Sequence, residues 1–154
     1  MERGVVTFAP HFAGAWGSEG RYAVSTLVEQ ARAALRVLAR MDGVDPRRLA
    51  VFGFSMGGWT ALNLTARETS LRAACAVAPV GGPEMLGPGA RATIARLGKP
   101  LNAVPRVYDD FADSVRRADP ARALSRPGPP VLIVHGTEDP VVPYAVGRRL
   151  AAAA

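Results

Sequence analysis

Gly53-Phe54-Ser55-Met56-Gly57-Gly58 sets a serine among glycines, directly after the apolar run 49–54 (LAVFGF) and directly before a segment with helical character, 57–67 (GGWTALNLTAR). The chemistry this arrangement serves is nucleophilic attack. A tight strand-to-helix turn forces the serine into a strained backbone conformation and lifts its hydroxyl to the C-terminal edge of a sheet, while small residues at Gly53 and Gly57 avoid a clash. The helix that follows points its positive end at the hydroxyl, and the backbone N–H of Met56 is placed to donate to a developing oxyanion. In a chain with 16 glycines the five letters alone are a weak signal. The bland alternative is an ordinary Gly-rich turn, and the strand before and helix after are what favour a nucleophile elbow over it.

A serine nucleophile needs a base and a carboxylate to orient it. The carboxylate predicted is Asp139, in 131–143 (VLIVHGTEDPVVP), in the turn after an apolar strand and so at the same sheet edge as Ser55. Glu138 is the competing acid, and a plain turn role is the alternative for Asp139, because Asp-Pro is a common turn dipeptide. The base is not identified. Both histidines, His11 and His135, precede Asp139. His135 reads as a structural hydrogen-bonder at a strand end. His11 follows an earlier strand-like run and is the weak candidate for a substitute base, with a loop-structural role as its alternative. Two separated histidines without a carboxylate cluster do not make a metal site, and no cofactor is called for.

The elements that must position these residues alternate. Residues 5–9 (VVTFA), 49–54, 71–78 (LRAACAVA) and 131–135 (VLIVH) read as four buried strands. Apolar residues at Val24, Leu27, Val28, Ala31, Ala34, Leu35 and Leu38 have helical spacing, with Thr26 and Glu29 forming a capping-box pattern. A last helix begins at Tyr144. This order predicts an α/β fold, a mostly parallel sheet of about four strands with helices on both faces. Residues 79–124 interrupt it with Gly/Pro punctuation and a short helix around 109–117, a lid-like insertion over the site. Trp16, Trp59, Tyr108 and Phe111 are candidates for pocket lining, with core or lid packing as their alternative.

Composition narrows the function classes. With 154 residues the chain fits a single domain over 1–154, large enough for one core. The net charge of +6 comes from arginines scattered along the chain in doublets at most, which argues against a nucleic-acid partner. No apolar run approaches the roughly 20 residues that cross a bilayer, so no membrane partner is expected. The N-terminus lacks the ordered regions of an export signal. One cysteine, Cys75, excludes a disulfide framework and reads as a small buried hydrophobe, and a cytoplasmic location fits.

Three segments together resemble the α/β-hydrolase superfamily, nearest to its prolyl-oligopeptidase and dienelactone-hydrolase-like members. They are 9–20 (APHFAGAWGSEG), the elbow with its lead-in Val44-Asp45-Pro46-Arg47-Arg48, and 135–143 (HGTEDPVVP). The resemblance implies Ser55 as nucleophile, Asp139 as the acid and Met56 as one oxyanion donor. It implies a serine hydrolase acting on an ester, amide or peptide through an acyl-enzyme, an esterase before a peptidase. It also implies departures: the family's first three strands, its second oxyanion donor and its His-bearing C-terminal segment have no counterpart here. The alternative is therefore a catalytically impaired or inactive hydrolase-like fragment or interaction module. Because the family's third strand lies between its fourth and fifth, the expectation is that the strands at 5–9 and 49–54 pair directly, or that another chain, as in a homodimer, fills the gap.

Overall fold

The computed structural model describes residues 4–154. Apolar and β-branched runs form three parallel strands, β1 (Leu49–Phe54), β2 (Leu71–Val77) and β3 (Val131–Val134), in the order β1-β2-β3. The register aligns Phe52 with Cys75 and Leu132, and Phe54 with Val77 and Val134, so the C-terminal ends of β1 and β3 finish level.

Among the described residues six α-helices accompany the sheet: α1 (Leu27–Leu38), α2 (Met56–Thr65), α3 (Ala90–Gly98), α4 (Val107–Arg117), α5 (Pro120–Leu124) and α6 (Tyr144–Ala153). Helix α2 is the hub. It is buried from Gly58 to Thr65, packs on β1 and β2, and is backed by α1 and α5. Its hydrophobic all-round character is that of a helix inside a core. Helix α6 closes the layer against β3 and α5. Trp59, Leu62, Leu64, Phe111, Val115 and Leu150 anchor the resulting apolar cluster.

The α/β class and parallel sheet agree with the sequence reading, and four features differ from it. Among the described residues the sheet has three strands, not four. Residues 5–9 form no strand, and Val5, Val6 and Phe8 are exposed. An apolar run becomes a strand only when a ladder partner takes up its N–H and C=O groups, and this one has none beside it, so the expected direct pairing with β1 does not occur. Second, the helices that contact the sheet leave one face uncovered: side chains alternate along each strand, and Phe52, Phe54, Leu132 and Val134 all stand exposed on the same face. Third, Cys75 is only half-buried, because it lies on that face in the central strand. Fourth, the Thr26–Glu29 capping box does not form. Thr26 instead donates its hydroxyl to the Ala23 carbonyl, and the Val24 and Ser25 N–H groups donate to Asp110 of α4, at 2.6 and 3.3 Å.

The insertion 79–124 is more structured than its glycines and prolines suggest. Helices α3 and α4 pack on each other, and the loop at 12–22 is pinned to the segment between them by Tyr22 N–H to Asn102 O (2.8 Å) and Asn102 N–H to Gly14 O (2.8 Å). Gly14 is required there. A β-carbon at this position would overlap the Tyr22 amide, and its φ of 70° lies in the left-handed region.

Candidate active site

Ser55 joins β1 to α2 at φ 52° and ψ −116°, a conformation that side-chain-bearing residues rarely hold. Neighbours over-determine it. The Ser55 N–H donates to the Val77 carbonyl at 2.9 Å, and the Ser55 carbonyl accepts from Trp59 N–H (3.1 Å) and Val80 N–H (3.2 Å). The hydroxyl does not cap α2, which leaves it out of the commonest structural role of a serine before a helix. The first N–H groups of α2, beginning with Met56, have no intrahelical partner and carry the positive end of the helix dipole.

The glycines divide differently from expectation. A β-carbon on Gly53 would overlap the backbone of Gly57, so Gly53 is fixed by the turn itself. At Gly57 a β-carbon would meet nothing within 4 Å, whereas at Gly58 it would come 2.9 Å from Pro79 Cβ. The close approach of α2 to the chain leaving β2 is thus made at Gly58, one residue beyond the motif's second glycine.

Ser55 and Met56 border a cavity of about 330 Å³. Val80 and Met85 form one wall, Ile94 and Leu97 of α3 with Phe111 of α4 another, and Val141 and Val142 a third. The lid-like segment therefore supplies most of the apolar lining. Of the four aromatic candidates only Phe111 lines this cavity. Trp59 is buried in the core, Tyr108 lies under the Arg91 guanidinium at 4.1 Å, and Trp16 is exposed. Tyr22, which also lines the cavity, has its phenol pushed up to about 12 by burial and by the nearby Asp110, so it is a neutral hydroxyl at physiological pH. A second, wide-open depression lies at the other end of the sheet among Arg47, Arg48 and Arg72, remote from any candidate nucleophile.

Asp139 sits in the turn after β3, and the residues following it reach the Ser55 cavity. Its Oδ1 accepts the N–H groups of Val141 (2.8 Å) and Val142 (2.9 Å). The Val142 and Val141 amides, with His135 adding a smaller attraction, hold the carboxyl below the usual carboxylate range. His135 is buried. Its Nε2 lies 2.9 Å from the Val142 carbonyl, which calls for the proton on Nε2, and 3.7 Å from Asp139 Oδ2. Its other face packs against Gly147, where a β-carbon would overlap the ring. His11 is exposed and does not line the cavity. Among the described residues neither histidine borders the cavity with Ser55, and no three His, Cys, Asp or Glu side chains gather as a metal-ligand set.

One group that sequence reasoning passed over is the Arg149 clasp. The Arg149 guanidinium holds Asp119 with two N–H donors, at 3.0 and 2.9 Å, and Glu84 with one at 2.6 Å. Glu84 lines the cavity. The partners are 30 and 65 residues apart in sequence, and no local pattern announces them.

A parallel sheet, a strained serine between strand and helix, and an acid after a later strand at the same edge define an α/β-hydrolase core. The family model of the prolyl oligopeptidase family matches residues 1–154, and the chain belongs to that family. An uncharacterised protein of Mycobacterium tuberculosis is 29% identical over 144 residues, which cover 93% of this chain and 46% of that protein. Among solved structures, a Mycobacterium tuberculosis puromycin-hydrolyzing peptidase is 28% identical, with a TM-score of 0.61 over 82% of this chain and 19% of its own. Acetyl xylan esterase 1 from Thermoanaerobacterium shares the fold at 18% identity, with a TM-score of 0.60 over 92% of this chain and 51% of its own. The chain thus spans about half the length of the curated relatives it matches. Among the described residues no helix is long and apolar enough to cross a membrane.

Proposed function

We propose that this chain carries the acylation site of a serine hydrolase that cleaves an ester or amide, peptides included. The observation that supports it most is the strained, uncapped Ser55 at the floor of an apolar cavity. In this reading Ser55 Oγ gives its proton to a general base as it attacks the substrate carbonyl, the Met56 N–H and the positive end of α2 stabilise the oxyanion, and the proton passes to the leaving alcohol or amine, which departs to give an acyl-enzyme that water then hydrolyses. Asp139, anionic at neutral pH, is the carboxylate for orienting that base, a place that neither His11 nor His135 fills. The cavity takes the apolar part of the acyl or side-chain group.

A second reading, impaired turnover by this chain alone, is favoured by the placement of the two histidines. His135 is engaged with Val142 and His11 is exposed outside the cavity, so neither takes the proton from Ser55 Oγ. Loss of one triad member lowers turnover by orders of magnitude while leaving some reactivity from the oxyanion site. Labelling by an alkyl fluorophosphonate tests both readings. Slow labelling that is absent in Ser55→Ala and is accelerated by added imidazole, an external base, is expected. A folded protein that takes up no probe even with imidazole would sink the acylation site.

A further inference from the structure

Glu84 is the one charged residue among the described residues that line the Ser55 cavity; the others are apolar, glycine, or neutral polar groups such as Tyr22 and Thr93. An unpaired carboxylate in such a wall would favour a cationic group in the cavity and oppose an apolar one. This carboxylate, about a third exposed, is paired instead. Glu84 Oε1 accepts the Gly82 N–H at 3.0 Å and an Arg149 N–H at 2.6 Å, and Gly81 lies so close that a β-carbon there would overlap the same oxygen. Arg149 itself does not line the cavity. It is fixed from behind by the two-pronged contact with Asp119, whose own charge is also answered by the Ala121 N–H at 3.0 Å and by nearby Arg122. A planar guanidinium fork can hold two carboxylates in this way, and a lysine cannot reproduce the geometry.

We propose that Arg149 is a specificity-determining residue acting from outside the cavity: by pairing Glu84 it weakens the negative charge of the wall beside Ser55 and selects apolar over cationic substrate groups. The same clasp is a positioning device. It ties α6, which follows the Asp139 turn, to the loop whose Val80 N–H holds the Ser55 carbonyl. The proposal rests on the reading of Ser55 as the nucleophile.

The test compares labelling rates for two fluorophosphonates, one with an alkyl tail and one with a tail ending in a quaternary ammonium. The wild type is expected to favour the alkyl probe. In Arg149→Gln the ratio of the two rates moves toward the ammonium probe by about threefold, the effect of one unmasked charge in a partly exposed wall. Adding Glu84→Gln to that variant restores the ratio. Equal slowing of both probes, or a ratio unmoved, overturns the proposal, since a merely structural role would affect both probes alike. If the folded wild type takes up neither probe, the nucleophile reading fails, and hydrogen exchange decides the clasp separately. The Gly82 amide, bonded to Glu84, is expected to exchange faster in Arg149→Gln with α2 amides unchanged, and unaltered Gly82 exchange overturns the clasp.

Discussion

Along β1, Leu49 is 5% exposed and Phe52, three residues on, is 70% exposed, although both belong to one uninterrupted apolar run. Leu49 points to the face covered by α2, and Phe52 to the face no helix covers. The same division crosses β3, where Ile133 packs against the core and Leu132 stands open. What separates the two faces is the element laid against each, not residue type. Parallel sheets are ordinarily covered on both faces, so an apolar run announces two layers of packing, while here the described residues supply one. The stability of this chain therefore resides on the α2 side, where the site also lies.

The largest expected effect is at the turn that links the sheet to that side. Gly53→Ala places a methyl on the Gly57 backbone and is expected to abolish cooperative unfolding in a urea titration, whereas Gly57→Ala, with nothing within 4 Å, leaves the transition in place. Equal tolerance of both would mean that the elbow is not packed as described. Next comes the contrast of faces. Leu49→Ala should cost roughly 2–5 kcal/mol in urea unfolding, and Phe52→Ala, which removes a larger side chain, within about 0.5 kcal/mol. A comparable loss in Phe52→Ala would show that the open face is covered in solution.

The smallest effect is the pH dependence. Burial pushes the Asp119 carboxyl up, but the hydrogen bonds from Arg149 and the Ala121 N–H more than offset this and hold it below its ordinary value. A carboxyl whose folded pKa lies below the unfolded one, about 3.9, binds fewer protons when folded, so its contribution is present above that pH and is lost as pH falls through the folded value. The urea midpoint should therefore fall below about pH 4, and Asp119→Asn should flatten part of that limb. The open face, with no acidic residue among Ala50, Phe52, Phe54, Leu132 and Val134, contributes nothing to it. An acid limb unchanged in Asp119→Asn would remove the clasp from the stability of the covered side.

The legible parts of the fold were those that depend on neighbours close in sequence. Strands 49–54, 71–77 and 131–134 and the helices after 24, 56 and 144 fall where apolar runs and helical spacing put them. Residues 5–9 carry the same signal as β1 but not its partner, which no local pattern reveals. Thr26 and Glu29 match a capping box, yet Asp110, 86 residues beyond Val24, takes the N–H groups instead. Helix α3 was hidden by the glycines and prolines at both its ends. At the site, Gly53-Phe54-Ser55 was visible because a turn is local. The cavity wall and the Arg149 clasp join segments that the chain brings together only through its folded topology.

Ser55 shows one more thing about how the molecule is built. At φ 52° a glycine would sit without strain, so a chain shaped only to fold would carry glycine at this position. The serine that stands there is a local cost kept in place by Val77, Trp59 and Val80. An effort to make this protein hardier by relaxing its backbone would reach Ser55 among its first targets, and would remove the hydroxyl on which the proposed acylation rests.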